Sequence, residues 1–182
     1  IDPRGYRNEV EGRLRKANTV FYKLKTFWRN TGCNNKWKLQ VFNACVLSIL
    51  MYGLEGIVLT QALKQRINYF HTKAVRNILR IPATYMSRIS NNKVIEIANN
   101  ILYGETLPGR YLIASNMVKM RAIGFLGHIA REAQCWTHVA NVTVNADLSR
   151  YGYDHKRVGR PRFSWLHTTL DKAHRLIHKK AG

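Results

Sequence analysis

Between residues 6 and 29, apolar side chains recur at steps of three and four: Val10, Leu14, Ala17, Phe21, Leu24 and Trp28. This step places them on one stripe of an α-helix, and such a stripe must be buried against another element. Arg7, Arg13, Arg15, Lys16, Lys23, Lys25 and Arg29 fill much of the remaining surface, leaving it free to meet anions. Asn30, Thr31 and Gly32 then punctuate the chain. A second helix is expected over 35–52. It is apolar nearly all round, with Trp37, Leu39, Val41, Phe42, Cys45, Val46, Ile49, Leu50 and Met51, which makes it the candidate central core helix.

A third helix is expected over 60–80. Leu63, Ile67, Phe70, Ala74, Asn77 or Ile78, and Ile81 form its inward side, and Lys64, Arg66, Lys73, Arg76 and Arg80 lie around it. Pro82 stops it, because proline lacks the amide donor and clashes with the preceding turn. Ser90 reads as the N-cap of a short helix through Ala98, ended by Asn99 and Asn100. Two glycines and a proline make 103–109 a loop. A fifth helix is expected over 110–132, with Val118, Ala122, Phe125 and Ile129 inward. Gly124 and Gly127 mark either a weak half or a close helix approach. Residues 134–158 have no helical period; Val139, Val142 and Val144 fit a short strand or an irregular segment near 139–144. Pro161 opens a last helix over 162–180.

The fold expected is therefore mainly α, a bundle of about five to six helices with basic terminal extensions. Its core is built around 35–81. The organisation expected is a helical domain over 1–133, an irregular basic linker over 134–161 and a C-terminal basic helix over 162–182.

The charge bounds the function. Thirty Lys and Arg stand against ten Asp and Glu, giving +20 and a pI near 10.4. Such a surplus repels itself in a compact fold unless a polyanion neutralises it. Both ends are more basic than the middle: +7 over 1–38, +4 over 39–109 and +9 over 110–182. With 46% hydrophobic residues the chain also has the material for a core. The one apolar run of membrane-spanning length, Val41 to Thr60, contains Asn43, Gly53, Glu55 and Gly56. A mid-span carboxylate costs about 2.5–3.5 kcal/mol, so no membrane span is expected. Three cysteines, Cys33, Cys45 and Cys135, point to a reducing intracellular compartment rather than a disulfide framework. Opening on Ile1, the chain reads as a processed product or a fragment, with any targeting peptide out of view.

No catalytic centre is expected. The four aspartates, at 2, 147, 154 and 171, are scattered, whereas two-metal phosphoryl chemistry needs clustered carboxylates to hold its ions. There is no phosphate-binding glycine loop and no nucleophile elbow. Cys135-x-x-His138 is half of a zinc signature without its other half. His167, Asp171, His174 and His178 share one face of the last helix, but Lys172, Arg175, Lys179 and Lys180 beside them repel a cation. Neither a metal nor a cofactor is therefore expected.

The densest basic run is Lys156 to Arg162. Its Gly159-Arg160-Pro161-Arg162 suits either a narrow minor groove or RNA phosphates. Trp165 beyond it either stacks on a base or anchors its helix. The expected nucleic-acid contacts are Arg13, Arg15, Lys23, Lys25, Arg76, Arg80, Arg121, Arg157, Arg160 and Arg162.

Five blocks follow one another in order. They are Arg13, Ala17, Phe21, Leu24 and Trp28; Lys38-Leu39 followed by Leu50 to Glu55; Phe70 to Ile81; Met120 to Arg131 with its Gly127-His128 pair; and Gly159 to Arg162 before Trp165. Together they resemble the region downstream of the polymerase palm in non-LTR (LINE-type) retrotransposon reverse transcriptases. The chain departs from that pattern at Gly56-Ile57, where the family usually has an aromatic. It departs again at Lys119 and Arg121, in place of paired arginines. The resemblance implies a thumb-like helical region that grips template RNA and primer duplex, without the catalytic aspartates, which lie upstream in that family. Two readings follow. One is a stand-alone RNA-binding descendant serving as a structural part of a ribonucleoprotein, such as a mitochondrial ribosome, beside other proteins and ribosomal RNA. The other is the thumb end of a working retrotransposon polymerase, which would place it in the nucleus. A minor-groove DNA binder is the rival from outside the family.

Overall fold

The computed structural model describes residues 3–30, 32–104 and 111–131, together with 168, 169, 172, 173 and 175. It is mainly helical, and no strand occurs among the described residues. The helices are α1 (Pro3–Lys23), α2 (Lys25–Arg29), α3 (Asn35–Val41), α4 (Ser48–Met51), α5 (Gln61–Leu79), α6 (Thr84–Ser87), α7 (Asn91–Tyr103) and α8 (Ala114–Arg131). A wider π-type turn, Phe42–Leu47, joins α3 to α4. The expected strand or irregular segment near 139–144 and the linker over 134–161 lie outside the described residues. Of the last helix, Thr168, Thr169, Lys172, Ala173 and Arg175 are described, and they are helical.

The fold divides into two units. One comprises Ile1–Leu54 and Leu59–Val118; the other comprises Glu55–Val58 and Lys119–Gly182. The first holds most of the described core. Its α1 packs on α4, the π-type turn and α5, while α5 and α3 both pack on α7. The stripe of α1 and α2 is inward as its spacing requires: Val10, Ala17, Phe21 and Trp28 are buried. Phe21 stacks on Trp28 with ring centroids 5.4 Å apart and meets Phe42 edge-on at 6.2 Å. The buried indole nitrogen of Trp28 donates to the carbonyl of Phe21 at 2.8 Å, so the ring carries no unmet donor. The helix breaks between α1 and α2 at Leu24. Hydrogen bonds from the Leu24 amide to the Val20 carbonyl (3.2 Å) and from the Trp28 amide to the Leu24 carbonyl (3.1 Å) keep the two nearly continuous.

The second expected helix is not buried all round. Leu39, Phe42, Val46, Leu47, Leu50 and Met51 face the core, whereas Trp37, Gln40, Cys45 and Ser48 are exposed. One physical fact accounts for part of this: the wide turn brings Val46 and Leu47 inward together while Cys45 stays out. The centre belongs to α5, where Leu63, Ile67, Ala74, Val75 and Ile78 are buried along with His71, Thr72 and Arg76.

Helix ends follow local chemistry. Thr60 and Ser90 cap α5 and α7 by accepting from the amides of Leu63 and Lys93 at 3.4 and 3.3 Å. α5 stops one turn before Pro82 because Arg80 adopts the left-handed conformation (φ 57°) and closes the helix, its amide turning back to the Asn77 carbonyl. α7 does not end at Asn99 and Asn100 but runs to Tyr103, where Gly104 (φ 73°) stops it. Asn99 tolerates a helical position because it is buried and its side-chain oxygen accepts from the Tyr111 amide at 2.8 Å. In α8, Val118, Ala122 and Leu126 are buried while Phe125 is exposed, so Leu126 takes the inward place expected of Phe125. Nothing lies close to where a side chain on Gly124 would begin, so no close helix approach requires that glycine.

A polar cluster sits inside this core. His71 is fully buried and lies parallel to the Phe42 ring at 5.9 Å. Its Nδ1 accepts from the Ala114 amide at 3.2 Å, and its Nε2 lies 2.8 Å from the Tyr111 hydroxyl. An Nδ1 that accepts leaves the ring proton on Nε2. The chain of donors therefore runs from His71 to Tyr111 and from the Tyr111 hydroxyl to Asn43 Oδ1 at 3.2 Å. Asn68 accepts from the Ser115 amide at 2.9 Å. Side chains of α5 thus satisfy the first two amides of α8, which would otherwise be orphaned.

Candidate nucleic-acid interface

α1 and α5 run side by side in the same direction, and two ties fix this. Near their starts, Glu11 Oε1 accepts from Arg66 Nη1 at 2.7 Å. Farther along, Arg80 Nη2, just past α5, donates to the carbonyl of Arg29 at the end of α2 at 2.8 Å. From Arg66 to Arg80 the helix rises about 21 Å.

Each helix presents a line of side chains from its tie. On α1 and α2 the line is Glu11, Arg15, Asn18, Tyr22, Lys25 and Arg29, at alternating steps of four and three. On α5 it is Arg66, Tyr69, Lys73, Asn77 and Arg80, at steps of three and four. Beyond Glu11, every one of these is exposed. The result is a two-helix face edged with cations and carrying two tyrosines, with Lys73 Nζ 5.7 Å from the centre of the Tyr69 ring. Arg7's hydrogen bond is the largest cause that holds the Glu11 carboxyl below the usual carboxylate range; desolvation opposes it, and the charges of Arg66 and Arg7 add to the lowering. Glu11 is thus neutralised by its own neighbours. From there to Glu96 the only acidic residue in the sequence is Glu55, which is half-buried. Among the described residues of the face, no carboxylate other than the paired Glu11 opposes an incoming phosphate.

The residues expected from sequence fall in different places. Arg15, Lys25 and Arg80 belong to the face. Lys23 is exposed at its flank. Arg13 lies on the other side of α1, where Glu9 Oε1 accepts from its Nε and Nη2, each at 2.7 Å, and its guanidinium covers the Tyr52 ring at 4.6 Å. Arg121 is exposed on α8 in the second unit. Arg157, Arg160 and Arg162 lie outside the described residues.

Arg76 leaves the surface set. Only 8% of it is exposed, and its guanidinium is engaged within the fold. Nε donates to Asn91 Oδ1 at 3.3 Å, Nη1 to the Pro82 carbonyl at 2.8 Å, and Nη2 to Thr84 Oγ1 at 3.1 Å and to the Ile89 carbonyl. It pins the connection from α5 to α7 rather than facing solvent. Arg29, Lys73, Tyr22 and Tyr69 join the face without having been expected as contacts. The seven-residue spacing of Arg15, Tyr22 and Arg29, within an almost acid-free stretch, is the signal that marks Tyr22 and Arg29; no such spacing marks Tyr69 and Lys73.

Among the described residues no three His, Cys, Asp or Glu side chains gather where they could hold a metal ion. Cys33 and Cys45 are free thiols. Cys135 and His138, and the His167, Asp171, His174 and His178 face, lie outside the described residues. No described helix is long and apolar enough to cross a membrane. Comparison with protein-family models, curated proteins and solved structures finds no match to the chain.

Proposed function

We propose that this protein is a non-catalytic RNA-binding module, derived from the thumb region of a non-LTR reverse transcriptase. It acts as a structural component of a ribonucleoprotein such as a mitochondrial ribosome. The observation that carries the RNA-binding reading is the two-helix face of α1–α2 and α5, where Arg15, Lys25, Arg29, Lys73 and Arg80 surround Tyr22 and Tyr69. Phosphates meet the cations along its edges, and the tyrosines offer surfaces to sugars and bases. The scattered carboxylates of the whole sequence support a gripping role without chemistry. The order of the five sequence blocks supports the derivation.

A titration of structured RNA against salt tests the reading. If the five cations each neutralise a phosphate, log affinity falls with log salt at a slope of about 3.5 to 4.5, the lower figure for single strands. Lys25→Glu with Lys73→Glu lowers that slope by at least about one and weakens binding to different RNA sequences alike. A salt-independent affinity, or a double variant that binds as the original does, overturns the reading. Preference for A·T-rich DNA over RNA in the same assay would move it to the minor-groove alternative. Crosslinking in cells then separates a ribosomal RNA partner from the transcript of a mobile element.

A further inference from the structure

We propose that Tyr52 is a stacking platform for a single unpaired RNA base, a second nucleotide site on the far side of α1 from the two-helix face. This rests on the RNA-binding reading and adds to it a preference for loops, bulges or strand ends.

Tyr52 closes α4. The chain leaves the helix there (ψ 121°), and Gly53 turns it through the left-handed region at φ 72°. A side chain at position 53 would be strained in that conformation, so the sharp exit that sets the tyrosine outward depends on glycine. The ring is 67% exposed. One side is occupied: the Arg13 guanidinium carbon lies 4.6 Å from the ring centroid. Arg13 is itself clamped by Glu9, which accepts from both Nε and Nη2 at 2.7 Å. The ring is thus held from one side while most of the residue stays exposed, an arrangement ready to take a planar ligand at little ordering cost.

The same geometry selects the ligand. Glu9 balances the charge of Arg13, so the guanidinium that backs the ring is not left free for a phosphate. What the site offers is an aromatic surface backed by a guanidinium, suited to the uncharged face of a nucleobase. A base inside a duplex already has neighbours on both faces, which leaves unpaired bases as the occupant. Arg13 lies two residues beyond Glu11, about 200° around the helix. The platform and the Glu11–Arg66 tie therefore point away from each other, and an RNA touching both must pass around α1.

The test uses the full chain and a short single-stranded RNA carrying one 2-aminopurine, whose fluorescence is quenched on stacking, beside a blunt RNA duplex. The original protein quenches the probe. Tyr52→Ala abolishes the quenching and weakens single-strand binding by about 5- to 150-fold, the range for loss of one base–aromatic stack. Its affinity for the duplex stays unchanged. Tyr52→Phe keeps both quenching and affinity, because the aromatic face and not the hydroxyl is used. Circular dichroism checks that each variant is folded. If Tyr52→Ala quenches and binds the single strand as the original does, Tyr52 is only a cover for Arg13 and the proposal fails. If the original protein binds duplex RNA with the expected salt slope but does not quench the probe, the platform falls and the RNA-binding reading stands. If it binds neither RNA, both fall.

Discussion

Acidification removes stability through the buried His71. Burial lowers its pKa from the ordinary 6.5 to about 4 in the folded protein. Geometry agrees, because the ring nitrogen that would gain the proton already accepts from the Ala114 amide at 3.2 Å. Unfolded, the imidazole titrates near its ordinary value, about 6.5. Between the two values the unfolded chain binds more protons than the folded one, so stability falls as pH falls. The contribution is complete above about pH 6.5 and gone below about pH 4. At 1.36 kcal/mol per unit its size is about 3 kcal/mol. Against a typical total of about 5–15 kcal/mol, that is a large share.

Urea unfolding at a series of pH values from neutral to about 4 measures it. His71→Gln is expected to be less stable at neutral pH by about 1–3 kcal/mol, since it disturbs the bonds to Tyr111 and Ala114. Its stability should then decline less, so that the two proteins converge toward pH 4. Glu11, held below the usual carboxylate range chiefly by its hydrogen bond from Arg7, titrates in both proteins and cancels in the difference. Parallel curves for the two proteins would refute the assignment. So would a nitrogen NMR titration in which His71 gains its proton near pH 6.5.

Three further outcomes are expected. Arg76→Ala strands the carbonyls of Pro82 and Ile89 and should cost about 3 kcal/mol or more; thermal unfolding measures this, and hydrogen exchange should accelerate between residues 83 and 91. Arg88→Gly should stabilise the protein by roughly 1 kcal/mol, read by urea unfolding, because Arg88 is exposed and sits at φ 54°, where a side chain is disfavoured. Added salt should raise the melting temperature of the free protein by screening its +20 charge, yet lower that of the RNA complex by weakening binding; the same sign in both would count against phosphate neutralisation.

The helices were legible wherever apolar spacing and local caps agree. The stripe of Val10, Ala17, Phe21 and Trp28, the N-cap Ser90, and the inward Leu63, Ile67 and Ala74 are read directly from residue order, whereas the choice between Asn77 and Ile78 is made by the fold, which buries Ile78. What escaped the reading depends on contacts distant in sequence. Trp37 and Cys45 look like core by composition, but whether a helix lies at the centre or at an edge is decided by its neighbours. Arg76 looks like one more surface cation. It is inward because it neighbours buried Val75 and because the following loop brings four acceptors to it. His71 carries no sequence mark of its role, which exists only because Tyr111 and Ala114 reach it from forty residues or more along the chain.

The same division applies to the candidate interface. Cations around the apolar stripes were visible in the sequence, but charge on one helix is also what any solvated face presents. What turns two lines of cations into a surface is their alignment, which rests on the Glu11–Arg66 and Arg80–Arg29 ties, each joining residues more than fifty apart. Those ties also explain the distribution of acidic residues. If carboxylates served only to offset repulsion, they would be spread among the cations. Instead Glu9 and Glu11 are both committed to arginines at one end of α1, and the chain from there to Glu96 is nearly without acid. Like charges left unopposed along about 21 Å of paired helix raise the energy of the free protein. A polyanion laid along that face removes the repulsion at every cation it meets, so the charge arrangement that is unfavourable in isolation becomes the source of affinity in the complex.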